Sequence, residues 1–360
     1  MIINSLKTNR FLILILFFML SAKTQAQPET QNTANKRGQI TSFVYHRFGD
    51  DRYPSTNISV NDFRNHLNYL KNNNYNVLPL GKAVALLKSG ETIPDKTVVL
   101  TIDDGYKSFF ENGMPLLREF GYQATLFINT KQFGTGDFLS VKEIKQLINE
   151  GIEVENHSHS HAYFVNFTPE EIADTFKNDL IKSQDIFLKH FGYKPTLYAY
   201  PYGEYTPQMQ TVLKNEGYIA AVAQKSGIIS YLNDPYALPR FPAAGNYTNI
   251  DGFVKKINMN YMPVQLVKTV NPVIQFENPP ALQLKLIDKE MINMSQIQCF
   301  VGGQKDGIIS FNPETNLISV KSVHPLNTRR TLYTITAPSK TEANTWHWYS
   351  FLWINNKIEE

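Results

Sequence analysis

Between residues 39 and 261 short apolar, β-branched runs alternate with stretches of helical spacing, and few folds accommodate such an order. The runs at 40–45, 77–79, 98–102, 124–128, 152–155, 197–200 and 220–223 read as strands, rich in Val, Ile, Leu, Ala and aromatics. Between them, 60–72, 81–88, 113–120, 141–150, 169–190 and 207–216 carry apolar residues three and four apart. Ser59 is placed to cap the first helix, and Thr168-Pro169 opens the fifth with a cap and a first-turn proline. Strands that alternate with helices pair in parallel and are buried on both faces. The predicted class is therefore α/β, with a distorted (β/α) barrel spanning 39–262.

Beyond Pro263 the pattern changes. Alternating stretches at 282–287, 297–301, 317–320 and 331–335 are separated by Gly, Asn, Asp and Pro, which predicts a small all-β sandwich over 266–360. Its aromatic end runs from Trp346 through Trp348 to Trp353. Alternation puts Trp346 and Trp348 on one face, which reads either as sandwich core or as a surface for stacking on sugar rings. A chain of 360 residues has room for both domains.

The N-terminus sets the compartment. Lys7 and Arg10 precede an apolar run at 11–20, and Thr24-Gln-Ala26 follows as a small-residue cleavage site. This is the pattern of a signal peptide over 1–26, followed by a polar linker over 27–38. The run is shorter than the ~20 residues of a comfortable membrane span. Export to the periplasm, cell surface or medium is expected, with no stable membrane insertion after cleavage. Cys299 is the only cysteine, so intramolecular disulfides and cysteine-clustered zinc are excluded. A formal charge of +3 gives no basis for a nucleic-acid partner.

Chemistry concentrates at strand ends. The run from Thr97 to Ile102 stops at Asp103-Asp104-Gly105. Two acids cannot be there for packing, because an unpaired buried carboxylate is costly. The carboxyl ends of parallel strands are where α/β folds build active sites. Residues 153–163 then supply His157, His159 and His161 just past a strand. On a helical turn His157 and His161 share a face and can meet one ion. On an extended segment His157 with His159, or His159 with His161, would do so instead. Two imidazoles and a carboxylate suit a catalytic divalent metal, zinc first, with cobalt, nickel or iron as alternatives. The turn at Pro201-Tyr202-Gly203 can offer a backbone N–H to an oxyanion, and His46, at the end of the first strand, can serve as a general acid.

Together these segments resemble the polysaccharide deacetylases of the NodB-homology family, carbohydrate esterase family four. Thr101-Ile-Asp-Asp-Gly105 matches its T-F-D-D-G motif, His157-Ser-His-Ser-His161 its H-[ST]-x-x-H motif, and Ala199-Tyr-Pro-Tyr-Gly203 its R-x-P-Y-G motif without the arginine. A Tyr-His pair near the start of the domain resembles the circularly permuted branch that includes poly-N-acetylglucosamine deacetylases. The resemblance implies Asp104, His157 and His161 as metal ligands, Asp103 as general base, His46 as general acid and the Tyr202 N–H as oxyanion donor. It implies hydrolysis of N-acetyl groups on a glycan rich in N-acetylglucosamine, by metal-activated water. An O-acetyl esterase of the xylan type and a catalytically weak carbohydrate-binding protein are the alternatives. Ala199 stands where the family has an arginine that orients the catalytic aspartate, and Arg240 is the candidate to reach that carboxylate from another loop.

Overall fold

The structure is a computed structural model that describes residues 38–359. The leader at 1–26 and all but the last residue of the 27–38 linker lie outside the described residues. Strand β1 (Ile40–Tyr45) leads through a short parallel ribbon, β2 (Arg47–Phe48) and β3 (Asn57–Ile58), into helix α1 (Val60–Asn72). Strand–helix units follow: β4 (Asn76–Val77) with α2 (Leu80–Ser89), β5 (Thr97–Ile102) with α3 (Met114–Phe120), and β6 (Thr125–Ile128) with α4 (Val141–Asn149). Next come β7 (Glu153–Asn156) with α5 (Ile172–Phe191), β8 (Leu197–Ala199) with α6 (Pro207–Asn215), and β9 (Ala220–Val222).

The caps follow from side-chain chemistry. The Ser59 side chain accepts the Asp62 N–H, and Ser140 with Glu143 forms a reciprocal capping box on α4. The fifth helix begins at Ile172, not at Pro169. Thr168 and Glu171 close a separate turn through their own side chains, and the chain becomes helical after it.

The strands form one curled sheet in the order β10 (Ile228–Ile229), β1, β5, β6, β7, β8, β9. All neighbours are parallel except β10, and β4 flanks β5. The ring closes through an irregular segment. Ala223 N–H donates to Leu238 O at 3.0 Å, Leu238 N–H donates to Ala221 O at 2.9 Å, and β11 (Phe241–Pro242) pairs with β1. One wall of the barrel is therefore a loop, which is the distortion.

Strand pleat divides the apolar residues in two. Phe43, Tyr45, Val98, Leu100 and Ile102 join Phe63, Leu67 and Leu117 of the surrounding helices. Ile40, Val99, Phe127, Leu197, Ala199, Val222 and Leu238 fill the interior, with Leu80, Ala83 and Val84 of α2. Helix α7 (Ile250–Ile257), which the sequence reading lacked, packs Phe253 onto Phe43.

The remaining strands are β12 (Asn260–Tyr261), β13 (Val264–Leu266), β14 (Ala281–Leu286), β15 (Gln298–Val301), β16 (Gly307–Asn312), β17 (Leu317–Ser322), β18 (Arg330–Pro338) and β19 (Trp346–Ile354). They make two sheets, β12-β19-β18-β15 and β13-β14-β17-β16, around Leu282, Leu284, Ile318, Val320, Ile335, Phe351 and Trp353. The tryptophans correct the alternation argument. Trp346 is exposed at the strand end, while Trp348 packs against Phe241 of the barrel, 5.7 Å between ring centroids. The face they share meets the barrel, and the sandwich core takes the opposite face.

Candidate active site

Inside the barrel the pleat continues past the strand ends and determines which side chains meet. Val99, Thr101 and then Asp103 share one parity on β5; Ile40, Ser42, Val44 and then His46 share it on β1. The same count on β7 runs Glu153, Glu155, His157. Asp103 is fully buried. Arg240 meets it from the closing segment, donating from Nη1 to Oδ1 and from Nη2 to Oδ2, each at 2.7 Å. Nη1 also donates to Thr101 Oγ1 at 3.0 Å, and the Arg240 N–H donates to Lys225 O at 2.9 Å. Burial alone would raise the Asp103 carboxyl, and the Arg240 charge beside it holds it below the ordinary carboxylate range. Arg240 therefore reaches the Asp103 carboxylate from the closing segment, which Ala199 has no side chain to do.

Asp104 leaves the strand at φ +75 and Gly105 follows at φ +81, which swings the second acid out of strand register. His157 and His161 reach it without a helix. Ser158 (φ +72) and His161 (φ +55) both adopt left-handed backbone, and Ser158 Oγ accepts the His161 N–H at 2.8 Å. Asp179 of α5 accepts the His159 and Ser160 N–H groups at 2.7 and 2.9 Å and pins the loop. The helical-turn geometry expected from the spacing is thus replaced by a strained loop, and neither extended alternative forms. His159 Nδ1 bonds instead to Thr130 Oγ1 at 2.9 Å. Left-handed backbone at a non-glycine residue costs about 1–3 kcal/mol and persists where surroundings over-determine it.

The Nε2 atoms of His157 and His161 each lie 3.2 Å from Asp104 Oδ1 and 3.2 Å from one another. His157 Nδ1 bonds to the Ala199 carbonyl at 2.8 Å, so that nitrogen carries the proton and Nε2 presents a lone pair. Lone pairs from two imidazoles and a carboxylate converging at this range repel unless a positive charge lies among them. The donor set fits a divalent cation, and it is the one group of three metal-ligating side chains found among the described residues.

His46, Asp104, His157, His161, Tyr202 and Arg240 line one cavity of about 610 Å³. His46 Nδ1 is buried with no hydrogen-bond partner among the described residues. Burial lowers the His46 pKa, and the nearby Asp104 and Asp103 charges oppose that shift. Tyr202 sits at φ +59 in the Pro201–Gly203 turn, followed by Gly203 at φ +72, where a Cβ would lie 2.3 Å from the Gln224 nitrogen. Sequence reasoning missed Asp179 and the Ala199 carbonyl, both of which act by backbone contact. It also missed Tyr163, stacked on Tyr202 with centroids 3.7 Å apart. No local motif marks any of the three.

Residues 90–221 match the family model described as polysaccharide deacetylase. The poly-β-1,6-N-acetyl-D-glucosamine N-deacetylase of Staphylococcus aureus is 25% identical over 215 residues, which is 57% of this chain and 74% of that protein. Two solved structures share the fold. The Streptococcus pyogenes deacetylase PplD, in complex with acetate, aligns with a TM-score of 0.56 at 21% identity, over 61% of this chain and 98% of its own. IcaB from Ammonifex degensii aligns with a TM-score of 0.55 at 22% identity, over 61% of this chain and 99% of its own.

Proposed function

We propose, from the premise that this chain carries a polysaccharide deacetylase domain of the NodB-like kind, that it is an exported, metal-dependent N-deacetylase of glycans containing N-acetylglucosamine. The observation that carries the reading is the convergence of Asp104, His157 and His161 on one point, beside an ion-paired Asp103 and a His46 whose buried Nδ1 has no hydrogen-bond partner among the described residues. Asp104, His157 and His161 would hold the cation, zinc or a similar ion. Bound there, it supplies Lewis acidity that brings water toward a pKa of about 7 and polarises an acetyl carbonyl.

The protein's own groups do the rest. Asp103, kept ionised by Arg240, takes a proton from the attacking water as its oxygen adds to the acetyl carbon. The Tyr202 N–H donates to the oxyanion that forms. The C–N bond then breaks, His46 gives its proton to the leaving nitrogen, and acetate and a free amine result. An amine expelled without that proton is a very poor leaving group, so the acid is indispensable for amides. Ala199 leaves Asp103 without the family's arginine, but the fork from Arg240 to Asp103 supports an active catalyst.

The Staphylococcus aureus relative makes poly-β-1,6-N-acetylglucosamine the first substrate to try, and the apolar leader at 11–20 supports export. The test is acetate release from a panel of N- and O-acetylated glycans, with and without chelator. Chelator-sensitive release from N-acetylated members is expected. Release confined to O-acetylated xylan would make the protein an ester hydrolase, and no release from any member with metal bound would falsify the enzymatic reading.

A further inference from the structure

The start of β18 reaches the wall of the catalytic cavity, where Arg330 and Leu332 line the same space as Asp104, His157 and His161. The preceding residue, Arg329, turns inward. Its Nε and Nη2 donate to the two carboxylate oxygens of Glu204 at 2.8 and 2.7 Å, with both side chains almost wholly buried. Nη2 also donates to Asn166 Oδ1 at 2.9 Å, and Nη1 to the Ile358 carbonyl at 3.1 Å. Glu204 directly follows Gly203 and the turn that bears Tyr202.

A second line of contacts leaves the same guanidinium. Its carbon lies 4.3 Å from the centroid of the Tyr163 ring, and Tyr163 stacks on Tyr202 with planes 5° apart. Tyr202 in turn meets His161 edge-on, with centroids 4.7 Å apart. One cation of the β sandwich thus touches the oxyanion turn through Glu204 and a proposed metal ligand through two stacked rings.

Stability alone does not account for this pair. Desolvating two buried charges offsets most of their attraction, so such a bridge contributes little net stability. What a bidentate guanidinium–carboxylate fork supplies is fixed geometry. The residues just before Glu204 need it, because Tyr202 and Gly203 occupy consecutive left-handed conformations.

We propose that Arg329 is a positioning residue for the deacetylation reaction, holding the Tyr202 N–H through Glu204 and orienting His161 through Tyr163 and Tyr202. This rests on the deacetylase reading and makes catalysis in the barrel dependent on the β sandwich.

The test uses the full chain loaded with Co2+, whose visible absorption reports ligand geometry without turnover, together with steady-state acetate release. Arg329→Ala should lower kcat by about tenfold or more with KM little changed, and should alter the Co2+ spectrum. Arg329→Lys, which keeps the charge and loses the fork, should recover part of both. Val320→Ala, in the sandwich core and away from the turn, is the stability control and should lower Tm while leaving kcat and spectrum unchanged. Unchanged kcat and spectrum in Arg329→Ala overturn the proposal, as does a Val320→Ala variant whose kcat falls in step with its Tm. If Arg329→Ala does not fold, Tyr163→Leu breaks the stack and keeps the ion pair, and an unchanged Co2+ spectrum then overturns the coupling to His161. Absence of acetate release by the unmodified protein sinks the deacetylase reading itself, and the Co2+ spectra still decide whether Arg329 orients His161.

Discussion

Asp103 and Arg240 are joined by two hydrogen bonds of 2.7 Å inside the barrel, and neither side chain has exposed surface. The two residues are far apart in sequence, and meet because the barrel closes through residues 238–242 instead of a regular strand. Removing the guanidinium leaves a buried, uncompensated carboxylate, a loss that typically costs about 3–5 kcal/mol. Asp103 then takes up a proton more readily and fails as a base. Arg240→Ala should lower deacetylation about tenfold or more, lower Tm, and move the acid limb of the rate profile to higher pH, with bound metal nearly unchanged. Arg240→Lys restores charge without the fork and should fall between. An unchanged rate in Arg240→Ala removes it from the site.

The adjacent acids should fail differently. Asp104 Oδ1 faces both histidine Nε2 atoms, whereas Asp103 faces Arg240 and Thr101. Asp104→Asn should lose metal, read by elemental analysis after dialysis. Asp103→Asn should keep the metal and lose the rate. Equal metal content with equal activity loss in both variants would leave the division of roles without support.

Much of this was legible because pleat and motif agree. Asp103 and His46 occupy the next interior position beyond their strands, and a two-residue count along 97–103 or 40–46 finds them. The loop at 157–161 was not legible in detail, because its geometry depends on left-handed backbone at Ser158 and His161 and on Asp179 from a later helix. Spacing of four picks out the two histidines whose Nε2 atoms meet at Asp104, but the helical turn behind that choice does not form. Helix α7 and the partners of Arg329 escaped notice because each depends on packing between distant segments. The tryptophans of β19 follow the same rule: alternation gives the faces of a strand, and only the neighbouring barrel decides which face is covered.

His46 should matter in proportion to how badly the leaving group needs a proton. A positioned general acid typically contributes about 10²–10⁴-fold. His46→Ala should therefore reduce acetate release from an N-acetylated oligosaccharide by about a hundredfold or more. Hydrolysis of 4-nitrophenyl acetate, whose phenolate leaves unaided, should fall by less than about tenfold. Equal losses on both substrates would give His46 another task.

Two glycines at similar positive φ should differ in what an added methyl group does to the rate. At Gly203 (φ +72) a Cβ meets the Gln224 backbone nitrogen at 2.3 Å, while at Gly90 (φ +74), the cap of α2, nothing lies within 4 Å. Gly90→Ala should cost about 1 kcal/mol of stability and leave the rate intact. Gly203→Ala must displace the Tyr202 turn and should reduce kcat at least about tenfold along with Tm. The comparison is made on one plate by thermal melts and acetate release, and a fully active Gly203→Ala protein would detach the turn from catalysis.

Glu155 should set part of the pH dependence of stability. It lies buried in β7 and accepts the Thr196 and Leu197 N–H groups, both at 2.8 Å, on one oxygen. Burial pushes its carboxyl up to about 8 from an ordinary 4.5, with Glu153 nearby adding to the shift and the backbone bonds opposing it. Between those two values the folded protein holds a proton that the unfolded chain has released. Unfolding free energy falls with rising pH wherever the native state binds more protons. The contribution is therefore most favourable below pH 4.5, declines as pH rises, and is fully lost above about 8. Glu155→Gln removes the titration and retains an oxygen to accept from the backbone. Thermal melts from pH 5 to 8.5 should show Tm of the unmodified protein falling toward alkaline pH more steeply than that of the variant. Parallel curves would mean that Glu155 titrates near its ordinary value despite its burial.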